Sequence, residues 1–245
     1  FFITAPIFIK TVGIHISLFG QWLILVSFYI QSTTSNNKKR VYWILIILLS
    51  SGIHFYFTIM SYLMYLIFRF DELIKNKNFF NFLKELLIPI LFLLPLMYIL
   101  GFFSVSLQNV LAYGFDYYKS NLLSLFNPLG TNLNGTVNWS WILPKIPINH
   151  NPDESFSYLG LAGIILFFSL IIILLKNIKK IDFNKYRAVI LIFLIFFIIA
   201  LSNKIELGDR ILFEISLNKY LYGFVSILRA PGRFLWVCYY LILIY

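Results

Sequence analysis

Two stretches of this chain, 164–175 and 188–201, carry no charged residue and almost no polar one. Such continuous runs do not alternate, as the strands of a membrane barrel would over about 10 positions. A helix satisfies its own backbone polar groups, which a lipid solvent requires. Several apolar runs approach or exceed the roughly 20 residues needed to cross a hydrocarbon core of about 30 Å. Only 12% of the 245 residues are charged and 60% are hydrophobic. Soluble domains carry roughly 25% charged residues, so this chain cannot cover its apolar surface with charge. The expected fold class is all-α, a polytopic bundle of about five or six transmembrane helices.

Residue 1 is Phe, and the last residues lie in an apolar run without a signal peptide at the other end, so the sequence reads as a fragment of a longer protein. Phe, Ile, Lys, Asn, Tyr and Leu dominate, which suggests an AT-rich genome. The formal net charge is +10, suited to loops beside anionic lipid headgroups. The basic residues sit in short loops between spans, which argues against nucleic acid as a partner and for membrane lipids. The single cysteine, Cys238, excludes an intrachain disulfide and offers no metal set.

Spans are expected near residues 16–30, 86–107, 158–175 and 188–201, with a last one starting near Phe234. Pro89 and Pro95 predict a kink in the second of these. The apolar stretch 41–68 is one tilted span or two short helices broken at Ser50-Ser51-Gly52. The positive-inside rule favours the broken pair. Loops 31–40, 69–85 and 176–187 then share a face and hold 12 of the 20 basic residues. Loop 176–187 is expected in the cytoplasm. The long polar segment 108–157 and the partly amphipathic segment 202–233 are then expected together on the outer face. All of this belongs to one transmembrane domain, 1–245.

Five groups of residues carry candidate chemistry. In Arg229-Ala230-Pro231-Gly232-Arg233, Pro231 suits a first helical turn. Two guanidiniums beside a helix N-terminus make an anion site suited to phosphate, or they snorkel to headgroups. In Asp153-Glu154-Ser155, the carboxylates could hold a divalent cation or act as a base, or simply cap the following span. His54 lies in an apolar stretch, where an ionisable group is a functional candidate. Its structural alternative is a neutral ring bonded to a carbonyl freed by the break. His15 and His150 are isolated, and none of the three histidines has metal-ligand spacing. Trp139 and Trp141, with Asn132, Asn134 and Asn138, resemble a sugar-binding set, although an interfacial aromatic belt explains them as well. No nucleotide-binding loop or nucleophile elbow is present.

Four stretches together resemble a known family. They are Ala5-Pro6 with His15-Ile16-Ser17-Leu18 and Gln21-Trp22; Ile53-His54-Phe55-Tyr56 with Met60; Glu154-Ser155-Phe156-Ser157-Tyr158-Leu159-Gly160; and Arg229-Ala230-Pro231-Gly232-Arg233-Phe234-Leu235-Trp236 with Tyr239-Tyr240. Their order and spacing resemble an uncharacterised bacterial membrane-protein family, domain of unknown function 6311. That family resembles the GT-C class of integral-membrane glycosyltransferases. The resemblance implies an enzyme of the cell envelope in the bacterial inner membrane, using a polyprenyl-phosphate-linked sugar at the outer face. Arg229 and Arg233 would hold the lipid phosphate. Glu154 would assist with a divalent cation or the acceptor, and Tyr158, His15 and Trp139 would line the substrate site. Glu154 and His54 are the catalytic candidates within the chain. The key acid of GT-C enzymes lies in a first outer loop, expected upstream of residue 1. The family pattern often has Ser where this chain has Pro231. The alternatives are a flippase or transporter for lipid-linked sugars, centred on His54, Ser50 and Ser51, and a non-catalytic membrane scaffold.

Overall fold

The computed structural model describes residues 5–11, 16–104, 114–132 and 135–244. His15 and Asn134 lie outside the described residues. The chain forms two compact units. One is His15–Ser106 with Lys185–Ile192, and the other is Phe1–Ile14 with Leu107–Asn184 and Phe193–Tyr245.

The helical unit is an up-and-down meander. A 3-10 turn, Ile16–Gln21, leads into α2, Trp22–Thr33; α1, Pro6–Thr11, belongs to the other unit. α3 is Asn36–Ile53, α4 is Phe55–Asn76 and α5 is Phe79–Ile99. The stretch 41–68 is therefore two helices. The break falls at His54, whose backbone is extended at φ −165° and ψ 132°, two residues after the Ser-Ser-Gly. Trp43 near the start of α3 packs on Tyr65 and Phe68 near the end of α4, so the pair is an antiparallel hairpin. Gly20 shows how tightly the opposite end packs: a Cβ there would lie 2.9 Å from Ile53 and 3.0 Å from Phe57.

The segment 69–85 is not a loop. α4 continues to Asn76, its charges paired one turn apart as Arg69–Glu72 and Asp71–Lys75, a spacing that supports a helix. Lys77, at φ 54°, closes α4 in the left-handed conformation. The Asn78 side chain then accepts the Asn81 amide to start α5. α5 thus begins seven residues earlier than the apolar run alone implies.

Three basic segments meet at this end of the unit. Arg40 pairs with Glu85, which also accepts the Tyr65 hydroxyl. Arg187 Nε lies 2.7 Å from Asp71 Oδ1. Arg40 and Arg187 are thus each bound to an acid of the 69–85 segment.

The other unit contains α7, Gly160–Asn177, and α10, Leu235–Ile244. α8, Phe183–Leu201, gives residues 185–192 to the helical unit and its remainder to this one. It also contains two β-hairpins, which correct the all-α expectation: β1, Leu129–Asn132, pairs with β2, Gly135–Asn138, and β3, Lys204–Leu207, with β4, Arg210–Glu214. α6, Pro152–Ser155, and α9, Lys219–Val225, are short. The molecule is mostly helical. Ile16–Thr33, Phe79–Ile99, Gly160–Lys180 and Phe183–Leu201 are long and apolar enough to cross a membrane. α5 and α7 expose Leu91, Phe92, Ile165, Leu166 and Ile173 among many others. Apolar surface on that scale needs lipid or protein against it, and this is a membrane protein.

Candidate functional site

The polar segments 114–157 and 202–233 fold onto one another. Asn121 clasps Gly208 at the β3–β4 turn from both sides: its Nδ2 donates to the Gly208 carbonyl at 2.8 Å, and its Oδ1 accepts the Gly208 N–H at 3.1 Å. The Leu122 amide donates to the Glu206 carbonyl. Gly208 sits at φ +65°, as a two-residue hairpin turn requires.

Asp153 and Glu154 are neighbours on α6. Successive helical residues point about 100° apart, and the two carboxylates diverge accordingly. Asp153 reaches Lys10 Nζ at 2.8 Å and accepts the Thr131 hydroxyl at 2.5 Å. Glu154 accepts from Arg233, whose Nε and Nη2 lie 2.7 and 2.5 Å from its Oε2. The capping reading of Asp153 is corrected: the cap of α6 is Asn151, whose side chain accepts the Asp153 amide. α7 starts at Gly160 without a side-chain cap. Burial pushes the Lys10 ammonium below its usual range, with Asp153 pulling it back up.

Arg233 is buried, and Arg229 is exposed. The Arg229 guanidinium lies over the Tyr118 ring, 5.1 Å from its centroid, with Nη2 3.4 Å from the phenolic oxygen. The turn between them uses its amides internally. Residues Pro231–Phe234 form a 3-10 turn. The Gly232 amide donates to the Tyr118 carbonyl at 3.0 Å, and the Arg233 amide to the Ala230 carbonyl. A Cβ at Gly232 would come within 2.8 Å of Ser155 and 2.9 Å of the Tyr118 oxygen. The Gly232 and Arg233 amides are thus both engaged within the chain.

The other expected residues divide. Tyr158 is buried, its ring near Phe156, so it belongs to the core. Trp139 packs on Phe156 at 5.3 Å, and its buried Nε1 has no hydrogen-bond partner. Trp141 is fully exposed. The Asn138 side chain accepts from the Ser140 amide and donates to the Leu143 carbonyl, which makes it a turn residue. His54, in the helical unit, is a helix cap: its Nδ1 accepts the Tyr56 amide at 3.2 Å. The ring bonds an amide of α4 rather than a carbonyl of α3. The Ser50 and Ser51 hydroxyls donate to the Ile47 and Leu48 carbonyls.

The structure adds a buried triad. Lys119 Nζ lies 2.8 Å from Glu206 Oε1 and donates to the Lys204 carbonyl at 2.8 Å. His150 Nδ1 lies 3.2 Å from Glu206 Oε2. All three side chains are under 5% exposed. Burial lowers both the Lys119 and His150 pKa, and Glu206 opposes the fall. Lys204 moves the other way, raised chiefly by its hydrogen bond to Glu214. The three positions are 31 or more residues apart in sequence, so no spacing rule marks them; the same holds for Lys10. Among the described residues, no three His, Cys, Asp or Glu side chains gather as a metal set.

The arrangement is a layer in which Asp153, Glu154 and Glu206 are paired with Lys10, Arg233 and Lys119, and the exposed Arg229 lies on the Tyr118 ring. No curated protein and no solved structure matches the chain. The family model described as domain of unknown function (DUF6311) matches residues 1–245, and the chain belongs to that family.

Proposed function

We propose that the chain is part of a multi-pass, glycosyltransferase-like protein of the bacterial inner membrane, GT-C-like in architecture, acting on a polyprenyl-phosphate-linked sugar at the outer face. The observation that carries this reading is Arg229, exposed and oriented by its stacking on Tyr118. A guanidinium is suited to a phosphate oxygen pair. The neighbouring Asp153 and Glu154 are each matched by a cation, so they do not repel an anionic lipid. Arg233 has a different role from the one its sequence position suggests: it holds Glu154 and thereby positions α6. Trp141 stands exposed for a sugar face.

The test is sugar transfer from a polyprenyl-phosphate-linked donor by the full-length protein in vesicles. Arg229→Ala is expected to raise the donor KM by about tenfold or more, since a charged hydrogen bond contributes about 1.5–3 kcal/mol. Unchanged donor dependence removes Arg229 from the phosphate site. The alternative is a flippase or transporter for lipid-linked sugars centred on His54, Ser50 and Ser51, and lipid-linked sugar flux without glycosyl transfer would favour it.

A further inference from the structure

The helical unit has a second feature, independent of the anion-facing layer. A groove of about 520 Å³ runs between α2 and α3. Because the two helices are antiparallel, its lining is layered. At one end are Thr34, Ser35 and Lys38; next come Tyr29 and Tyr42; beyond them lie Val26, Leu45 and Leu49. Ile30 and Ile46, both buried, form its floor.

This order of chemistries is that of a lipid. Lys38 to Leu49 spans about 16 Å of helix at 1.5 Å per residue. Half of a hydrocarbon core of about 30 Å is one leaflet. Tyrosines between an apolar and a polar layer match the level of the headgroups. The polar end carries one sign of charge: the lining contains Lys38 and no acidic residue. Lys38, Lys39 and Arg40 follow in succession, with no acidic residue in the first turn of α3. Arg40 is matched by Glu85, whereas Lys38 has no acidic partner among the described residues. Ser35 occupies the N-cap position of α3, yet its hydroxyl makes no capping bond. The Thr33 hydroxyl is already engaged with the Tyr29 carbonyl, which leaves Thr34 and Ser35 as the donors at this end.

We propose that this groove holds one acyl chain of an anionic phospholipid, with the headgroup phosphate on Lys38 and the hydroxyls of Thr34 and Ser35. The contact is selective by charge at the head and by shape along the tail.

The test uses the intact protein in detergent, offered an equimolar mixture of phosphatidylglycerol and phosphatidylcholine, with bound lipid counted by native mass spectrometry. The wild type is expected to retain phosphatidylglycerol over phosphatidylcholine by about fivefold, the scale for one lysine at an anionic surface. Lys38→Gln, at an exposed position, is expected to bring that ratio near one while leaving the total lipid count unchanged. Leu49→Trp and Val26→Trp fill the tail end and should lower the count of both lipids. An undiminished phosphatidylglycerol preference in Lys38→Gln overturns the proposal. So does a wild-type dimer that the tryptophan variants dissociate without loss of lipid, because the groove would then seat a protein partner.

Discussion

Arg233 holds one oxygen of Glu154 with two nitrogens, Nε at 2.7 Å and Nη2 at 2.5 Å. The two side chains are 10% and 14% exposed. Removing one partner leaves the other charge poorly solvated, and breaking such a pair costs about 2–5 kcal/mol. Arg233→Ala should therefore lower the unfolding midpoint in detergent substantially. Glu154→Gln combined with Arg233→Met should cost less than the sum of the single changes, since neither variant charge is left unmatched. Additive losses in the double-mutant cycle would show that the pair is not coupled.

Glu206 stands between Lys119 and His150 with one oxygen on each. Glu206→Gln leaves the Lys119 ammonium buried without its carboxylate and is expected to cost about 3–5 kcal/mol. Lys119→Met with Glu206→Leu should recover much of that loss. Denaturant unfolding of the wild type and the two variants measures both outcomes.

The same cluster sets a pH dependence. Because a carboxylate oxygen only accepts, the neutral His150 ring presents its Nδ1 proton to Glu206. Its pKa in the fold lies below the ordinary 6.5, chiefly through burial. The unfolded chain thus binds the proton more readily. The stability His150 contributes is full above 6.5 and is lost as pH falls through the folded value. The thermal midpoint of the wild type should drop with acidification below 6.5, and His150→Gln should flatten that slope. Parallel curves for the two proteins would remove His150 from the acid response.

Two glycines should respond in opposite directions. At Gly232 a Cβ meets Ser155 and the Tyr118 carbonyl oxygen at under 3 Å. Relieving that overlap requires backbone movement, so Gly232→Ala should destabilise by about 1–3 kcal/mol. At Gly52, within α3, a Cβ meets nothing within 4 Å. Gly52→Ala should stabilise by about 0.5 kcal/mol, through the lower entropy of the unfolded chain and better helix propensity. Side-by-side melting curves read both signs.

The apolar runs were legible because lipid leaves so few solutions: the helices over 160–177 and 183–201 cover the stretches that carry no charge. Arg40 and Arg187 each pair with an acid of the 69–85 segment, and a charge count by itself names neither partner. Hydropathy misplaced the start of α5, because Phe79–Leu86 mixes polar residues into an amphipathic turn. The β3–β4 hairpin carries a local signal. Lys204-Ile205-Glu206-Leu207 alternates, and Gly208-Asp209 is a two-residue turn of the kind that joins strands. The pairing of Lys10 with Asp153 and of Lys119 with Glu206 had no local signal at all. These contacts span 143 and 87 residues, and only the packed fold defines them.

Tyr118 does three things at once: its ring and hydroxyl hold Arg229, and its carbonyl anchors the amide of Gly232. The exposed cation and the start of α10 are thereby fastened to one residue. Replacing Tyr118 by Leu would release the Arg229 guanidinium and leave the main-chain anchor of Gly232 in place, because the two attachments use different parts of the residue.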